Sequence, residues 1–270
     1  MRACFASLRV AYRFEPTATR FMAVAAQPVP ATLTLTNFAS AVADGANPNA
    51  LHALTIPKHP KDDTLGTRAL RIAPTVLLEA LDAADIQAGD AIILSRWGAV
   101  QVTARREGGA SAGGPPSVQL EGELQPSIDA FKHLKGKQKP KALHWLADLR
   151  APATPYGSWL AGAAAGAAGP ALVECELREY DHLITKPKLE EADKITDPGV
   201  INERSSAVTP ALADPLLRAL GVGDVVQLER RGFFRCDRPY VSPVKPLVLV
   251  YVPDGKKKPP VFNALQNPVG

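Results

Sequence analysis

Short stretches in which apolar and polar residues alternate run through much of the chain. Residues 32–36 alternate threonine with leucine, and residues 173–178 alternate apolar with charged side chains. A period of two places every second side chain on one face of a strand, so each stretch predicts a half-buried strand. Residues 247–252 are apolar at every position, which is typical of a central strand covered on both faces. The pattern predicts a protein built mainly of strands.

The clearest local signal is a hairpin with a long tip. Residues 100–103 and 118–124 each alternate, and the loop between Glu107 and Ser117 is rich in Gly, Ala and Pro. Residues 76–81 are ambiguous, because Leu77, Ala80 and Leu81 fit a helix while the shortness of the run also permits a strand.

One ten-residue pattern occurs twice. Residues 89–98 and 223–232 share Gly, Asp, aliphatic residues, Leu, Arg and Gly at the same offsets without a gap. Gly and Asp suit a turn, and the aliphatic positions that follow suit a strand. We interpret the pair as two β units of similar build, each closed into a barrel that removes exposed strand edges.

Composition divides the chain into segments. The 270 residues include 25 Pro and 20 Gly, which favours many short elements joined by turns. The first fifteen residues carry arginines and one acid, so they are either an organellar presequence or an arbitrary start. The predicted segments are a leader (1–15), a first barrel (16–150), an Ala/Gly/Pro linker (151–170), a second barrel (171–258) and a tail (259–270).

Several chemistries lack their motifs. The three cysteines are far apart and form no CxxC pair, and neither phosphate-binding glycine motif nor a GxSxG nucleophile motif occurs. The five histidines do not fall at metal-ligand spacing, so we expect no metal site. No apolar run approaches the ~18 residues of a membrane span, so we expect no membrane partner.

The net charge of +4 permits an acidic partner. Five lysines and no acid lie between residues 132 and 141, which is usual for a solvated surface but also suits a phosphate backbone. A barrel rim that carries Arg, Lys and aromatic residues can bind unpaired nucleic acid. The candidates of this kind are Arg68, Arg96, Trp97, Lys139, Lys141, Arg178, Gln227 and Arg230.

Several motifs resemble one family in order along the chain. They are Arg20–Val24, Lys58–Lys61, Trp97–Gly98, His144–Ala147, Tyr180–Glu191, Gln227–Phe234 and Pro253–Lys256. Together they resemble the anticodon-binding region of cytosolic and archaeal-type glutamyl-tRNA synthetases over roughly residues 16–258. The glutaminyl enzymes share this region, and Asp181–Lys186 favours the glutamyl branch.

The resemblance implies an all-β fold of two tandem six-stranded β-barrels with short helices, as in the anticodon domain of glutaminyl-tRNA synthetase and a related 5S rRNA-binding ribosomal protein. It implies a strand at residues 75–79 and a helix at 82–86. It also implies that the anticodon loop of glutamate tRNA is the partner. Gln227, Arg230 and Arg68 would contact bases, Lys139 and Lys141 would lie near the loop, and His59 belongs to a matching motif.

The catalytic motifs of a class I synthetase are not found. The HIGH-like and KMSKS-like sequences are missing, so we expect no activity from this chain alone and no cofactor in it. ATP and Mg²⁺ are implied only through a catalytic domain outside it, and a catalytic half or a multi-synthetase complex is a possible partner. The resemblance implies a cytoplasmic location, or an organelle if the leader is a presequence. The alternatives are a noncatalytic RNA- or protein-binding scaffold and a glutaminyl-tRNA synthetase fragment.

Overall fold

A computed structural model describes residues 17–42, 52–108, 117–127, 131, 134, 136, 139–149, 172–186, 188–191, 193–194 and 196–253. The predicted leader, linker and tail lie outside these residues, as do the tip of the long hairpin and most of the lysine run.

The described residues form two large sheets and one small one. In chain order the strands of the first half are β1 (Arg20–Phe21), β2 (Ala23–Ala25), β3 (Ala31–Leu35), β4 (His52–Pro57), β5 (Thr67–Ile72), β6 (Thr75–Leu78), β7 (Ala91–Leu94), β8 (Gly98–Glu107), β9 (Val118–Leu124), β10 (Lys141–Leu143) and β11 (Trp145–Ala147). The second half contributes β12 (Val173–Tyr180), β13 (Ser206–Ala213), β14 (Val225–Leu228), β15 (Gly232–Arg238) and β16 (Leu247–Val252).

Helical structure among the described residues is limited to short segments. The α-helices are Phe38–Val42 and Ala80–Ala83, and the 3₁₀ helices include Asp63–Leu65 and Pro215–Ala219. The ambiguous run at 76–81 is thus a strand followed by one helical turn. The helix begins at Ala80, two residues before the position that the resemblance implied.

Each large sheet closes on itself through an interrupted strand. The first runs β10-β7-β8-β9-β3-β6-β11, and β10 and β11 are separated by His144 alone. The second runs β1-β14-β15-β16-β12-β13-β2, and β1 and β2 are separated by Met22 alone. Counting each interrupted strand once leaves six strands in a closed ring. The predicted pair of six-stranded barrels is confirmed.

The strand at residues 20–25 belongs to the second barrel. β1 pairs in parallel with β14, and β2 pairs antiparallel with β13. The sequence prediction had placed this strand in the first barrel, because Arg20–Val24 resembles the start of the anticodon domain. Strand pairing over such distances cannot be read from local alternation.

That strand also joins the two cores. Phe21 and Ala23 lie in the core of the second barrel, whereas Met22 and Val24 pack in the core of the first. The alternation of side chains along a strand therefore faces two different barrels. Since both faces are covered, residues 21–26 are buried throughout.

The repeated ten-residue pattern has the same conformation in both barrels. Gly89 and Gly223 open the two copies with φ of 93° and 96°, and Arg96 and Arg230 have φ of 70° and 65°. A β-bulge follows at the equivalent place in β8 and β15. The sequence repeat is thus a structural repeat.

Candidate nucleic-acid interface

The two copies of the turn lie at the junction of the barrels. Arg96, in the first barrel, bonds through Nε to Oε1 of Glu229 in the second barrel at 2.8 Å. Glu229 itself comes from the second copy of the turn. The side chains are 18% and 14% exposed, so this ion pair is largely shielded from water. An ion pair therefore joins the two turns across the junction.

Arg230 makes the reciprocal contact. Its guanidinium bonds to both carboxylate oxygens of Asp82 in the first barrel, with Nη2 at 2.9 Å from Oδ1. The hydrogen bond to Asp82 raises the pKa of Arg230 further above its ordinary value. The side chain of Arg230 remains 46% exposed. It is thus held by the first barrel while it stays open to solvent.

His144 connects Arg230 to a second carboxylate. Nη1 of Arg230 lies 3.2 Å from Nδ1 of His144, and Nε2 of His144 lies 3.1 Å from Oε1 of Glu79. Because a guanidinium can only donate, Nδ1 is the acceptor and Nε2 carries the ring proton toward Glu79. His144 is the residue that interrupts the closing strand of the first barrel. The interruption therefore places an imidazole between two charged groups.

Glu79 is the most heavily bonded carboxylate of the junction. It accepts hydrogen bonds from His144, from Arg231 and from the backbone N–H of Ala25. Burial acts to raise the pKa of Glu79, but the bond from His144, the charge of Arg231 and the remaining bonds outweigh it and lower the pKa to about 2. The carboxylate stays ionised at every pH at which the protein is expected to work.

Arg68 lies deep between the barrels. Its Nη1 is 2.8 Å from Oδ2 of Asp214, and both side chains are 5% exposed. The guanidinium also stacks on the ring of Phe21, with the carbon at 4.7 Å from the centroid. Burial lowers the pKa of Arg68 although Asp214 acts in the opposite direction. The structure places this predicted base-reading residue in a buried ion pair.

Arg20 also lies at the junction, although the sequence analysis did not name it as a candidate RNA-binding residue. Burial is the largest influence on Arg20 and lowers its pKa, while Glu229 raises it and Arg96 lowers it. Its Nη2 lies 3.3 Å from Nε2 of His59, which is itself 6% exposed. The charge of Glu229 thus acts on Arg20 and Arg68 as well as on its ion-pair partner Arg96.

Buried polar atoms at the junction remain unpaired. Within the part of the chain that the structure describes, the side-chain atoms Arg20 Nε, Arg68 Nε, Arg231 Nε and Gln227 Oε1 are buried without a hydrogen-bond partner. Gln227 and Arg20 are register neighbours on paired strands. Unpaired buried donors and acceptors are costly and are often found where a ligand completes the bonding.

The other predicted residues are distributed differently. Trp97 packs on Trp145 and Phe38, with centroids 4.8 and 6.1 Å apart, so its ring covers the first core. Lys139 and Lys141 are exposed, and Nζ of Lys141 is 3.7 Å from Asp85. Arg178 bonds to Glu176 two residues before it on β12, with Nη2 and Oε2 2.6 Å apart.

Sequence reasoning did not select several charged or polar residues that the structure places at the junction: Arg20, Glu79, Asp82, His144, Asp214, Glu229 and Arg231. Arg231 immediately follows the arginine of the repeated pattern, and Arg20 opens a family motif, so both had a signal in the sequence. Glu79 and Asp82 had none, because their arginine partners are about 150 residues away in the chain.

The arrangement offers charged groups and hydrogen-bonding atoms from both barrels. Among the described residues, no cluster of three His, Cys, Asp or Glu side chains could hold a metal ion. No helix in that part of the chain is long and apolar enough to span a membrane. A junction rich in arginine, with unpaired polar atoms and exposed lysines beside the first barrel, is suited to an anionic ligand with hydrogen-bonding edges.

Comparison with known proteins identifies the family. Two family models, both described as "tRNA synthetases class I (E and Q), anti-codon binding domain", match residues 18–113 and 167–237. The chain is 35% identical over 206 residues to the cytoplasmic glutamate–tRNA ligase of Arabidopsis thaliana, and this match covers 74% of the chain. It is 31% identical to the bifunctional glutamate/proline–tRNA ligase of Mus musculus over 75% of the chain.

The probable cytoplasmic glutamate–tRNA ligase of Dictyostelium discoideum is 29% identical over 91% of the chain. The matched region spans 24% of the Arabidopsis protein, 27% of the Dictyostelium protein and 12% of the mouse protein. With two anticodon-binding family models matched in succession and two barrels joined by arginine-bearing turns, the chain belongs to the anticodon-binding domain family of the class I glutamyl and glutaminyl tRNA synthetases.

Proposed function

We propose that this chain binds the anticodon loop of glutamate tRNA at the junction of its two barrels. The observation that carries the proposal is the meeting of the two repeated turns, which place Arg96 and Arg230 at one junction within a family of anticodon-binding domains. The names of the relatives favour glutamate tRNA over glutamine tRNA.

The junction has the chemistry to read unstacked bases. A guanidinium donates to the acceptor edge of a base, and a side-chain amide both donates and accepts. Arg230 is exposed, and the side-chain oxygen of Gln227 has no hydrogen-bond partner among the described residues. We assign base contacts to these two residues and to Arg20. Arg68 is buried in its pair with Asp214, so we assign it to holding the barrels together.

Phosphate contacts would come from the edge of the first barrel. Lys139 and Lys141 are exposed and stand at the start of β10, the half-strand that pairs with β7 just before the Arg96 turn. Lysine at an exposed position binds the RNA backbone without regard to sequence. His59, Trp97 and Arg178 stay candidates. His59 and Arg178 have hydrogen-bond partners within the protein, and the ring of Trp97 packs on the first core.

The remaining parts of aminoacylation would lie outside these residues. The match covers about a quarter of the single-function relatives, and their whole-protein activity is named glutamate–tRNA ligase. We propose that a catalytic domain supplies ATP and Mg²⁺ chemistry and that this chain positions the tRNA for it. We further propose a cytoplasmic location, as two relatives are named cytoplasmic. We also propose a larger synthetase assembly as a partner, since the mouse relative is named a bifunctional glutamate/proline–tRNA ligase.

Filter binding tests the proposal. The RNAs are anticodon stem-loops of glutamate tRNA and glutamine tRNA, a glutamate stem-loop with altered anticodon bases, and 5S rRNA. Preference for the unaltered glutamate stem-loop is expected. Equal binding to all four would contradict it, preference for the glutamine stem-loop would point to a glutaminyl enzyme, and preference for 5S rRNA or no RNA binding would favour a scaffold.

A further inference from the structure

Arg230 is an exposed arginine of the junction, and its guanidinium forms hydrogen bonds with residues of the first barrel. Both terminal nitrogens bond to Asp82, and one of them also faces Nδ1 of His144. A bidentate pair of this kind fixes the plane of the guanidinium as well as its position. The contact therefore does more than neutralise charge.

Asp82 is itself held in place. It lies in the one-turn helix Ala80–Ala83, in which Ala83 is fully buried. Nη1 of Arg105 donates to the carbonyl oxygens of Ala83 and Ile86 at 2.9 and 2.7 Å, which ties the end of this helix to β8. The Asp82 side chain is 21% exposed. The carboxylate is thus a fixed point on the first barrel.

The two ion pairs between the barrels differ in their exposure to solvent, which indicates a structural role for one and a ligand-binding role for the other. Arg68 and its partner Asp214 are each 5% exposed, so that pair is part of the interior. Arg230 is 46% exposed while bound, so a ligand can reach it without breaking the pair. A long flexible side chain that is already ordered loses less rotational entropy when a ligand binds.

We propose that Asp82 is a positioning residue that orients Arg230 for recognition of an anticodon base, an inference that rests on the proposed function. It acts through Arg230 and contacts no RNA itself. Without its carboxylate, Arg230 would keep its charge but lose its fixed direction. Discrimination between bases would then fall, while general attraction to RNA would be unchanged or slightly increased.

The test compares binding of the glutamate anticodon stem-loop with a stem-loop altered at one anticodon base. The proteins are the full chain, Asp82→Asn, Arg230→Ala, the double variant, and Glu121→Gln as a matched control. Asn keeps the shape of Asp, and Glu121 pairs with Arg106 within the first barrel. Thermal unfolding of each variant checks that it is folded. If Asp82→Asn does not fold, Asp82→Glu provides a variant that keeps the charge.

Asp82→Asn is expected to lose most of the discrimination that Arg230→Ala loses, and the double variant is expected to lose no more than Arg230→Ala alone. Asp82→Glu should retain part of it, and Glu121→Gln all of it. Equal weakening on both RNAs, or unchanged or increased discrimination in Asp82→Asn, would overturn the positioning role alone. A wild-type chain that does not discriminate would overturn the proposed function and this inference with it.

Discussion

Arg96 and Arg230 occupy the same position in two copies of one turn, with φ of 70° and 65°, and each bonds to a carboxylate of the opposite barrel. The partner of Arg96 is Glu229, the residue immediately before Arg230. A repeat that gives each barrel a rim arginine thus also fastens the barrels together. If these loops bind the anticodon as proposed, the same turns serve both recognition and the joining of the barrels.

Replacement of Arg230 by Ala should weaken binding of the glutamate anticodon loop by about 1–3 kcal/mol, the range of one good base contact. The loss should be smaller on a stem-loop with an unrelated anticodon, because Arg230 makes no base-specific contact there that the substitution could remove. Filter binding of both RNAs measures the difference. Equal weakening on both would contradict a base-reading role.

Stability should depend on Glu79 in acid. Its pKa is about 2 in the folded protein against an ordinary value of 4.5, so its stabilising contribution is complete above pH 4.5 and is lost as the pH falls toward 2. The contribution is on the order of 3 kcal/mol. Urea unfolding of the wild-type chain and of Glu79→Gln should therefore differ at pH 7 and converge toward pH 2.

Glu179 has the opposite effect on the pH dependence of stability, because burial raises its pKa. It is present in both proteins, so its effect cancels in the difference between them. A gap between wild type and Glu79→Gln that stays constant from pH 7 to pH 2 would show that the Glu79 contacts are not electrostatic.

The sequence predicted what local patterns determine. Alternation located some of the strands, among them β3, β8, β9 and β12. The repeated Gly-Asp pattern identified two equivalent β units whose φ angles agree within a few degrees. The loop bearing Arg230 was found for the same reason. The physical basis is that turn residues and a period of two act over a few neighbours.

Contacts between distant segments could not be predicted in this way. Residues 20–25 were placed in the first barrel because Arg20–Val24 resembles the start of the anticodon domain, yet they close the second barrel. Arg68 was selected as an arginine near a rim, yet Asp214, 146 positions later in the chain, holds it in the interior. Charged residues have the same local pattern whether they face a ligand or a buried partner.

The second barrel should not fold from residues 171–258 alone. Without residues 20–25, β14 and β13 would each present an open edge, and Phe21 and Ala23 would be missing from the core. The isolated segment is expected to aggregate or to lack a cooperative thermal transition by circular dichroism. Fusion of residues 16–30 to its N-terminus through a flexible linker should restore the transition. Cooperative unfolding of the unaided segment would show that the strand is dispensable.

The exposed lysines of the first barrel should determine part of the salt dependence of RNA binding. Lys139→Gln together with Lys141→Gln should reduce the slope of log affinity against log salt by about 1 to 2, because each phosphate contact releases close to one counterion. Discrimination between anticodons should be unaffected. Lys245→Gln, on an exposed turn of the second barrel, is the matched control. An unchanged slope in the double variant would exclude these lysines from the RNA surface.

Substitution of Arg68 tests whether this residue has a structural role or reads an anticodon base. Loss of one partner from a buried ion pair leaves an uncompensated charge and typically costs 3–5 kcal/mol, and Asp214 also accepts the N–H of Leu216 at the start of a 3₁₀ helix. Arg68→Ala should therefore lower the free energy of urea unfolding by about 3 kcal/mol or more. Where the variant remains folded, its preference for the glutamate anticodon should persist. If Arg68→Ala instead has normal stability but loses the preference for the glutamate anticodon, the structural role is contradicted. Arg68 would then be a base-reading residue, as the sequence resemblance implies.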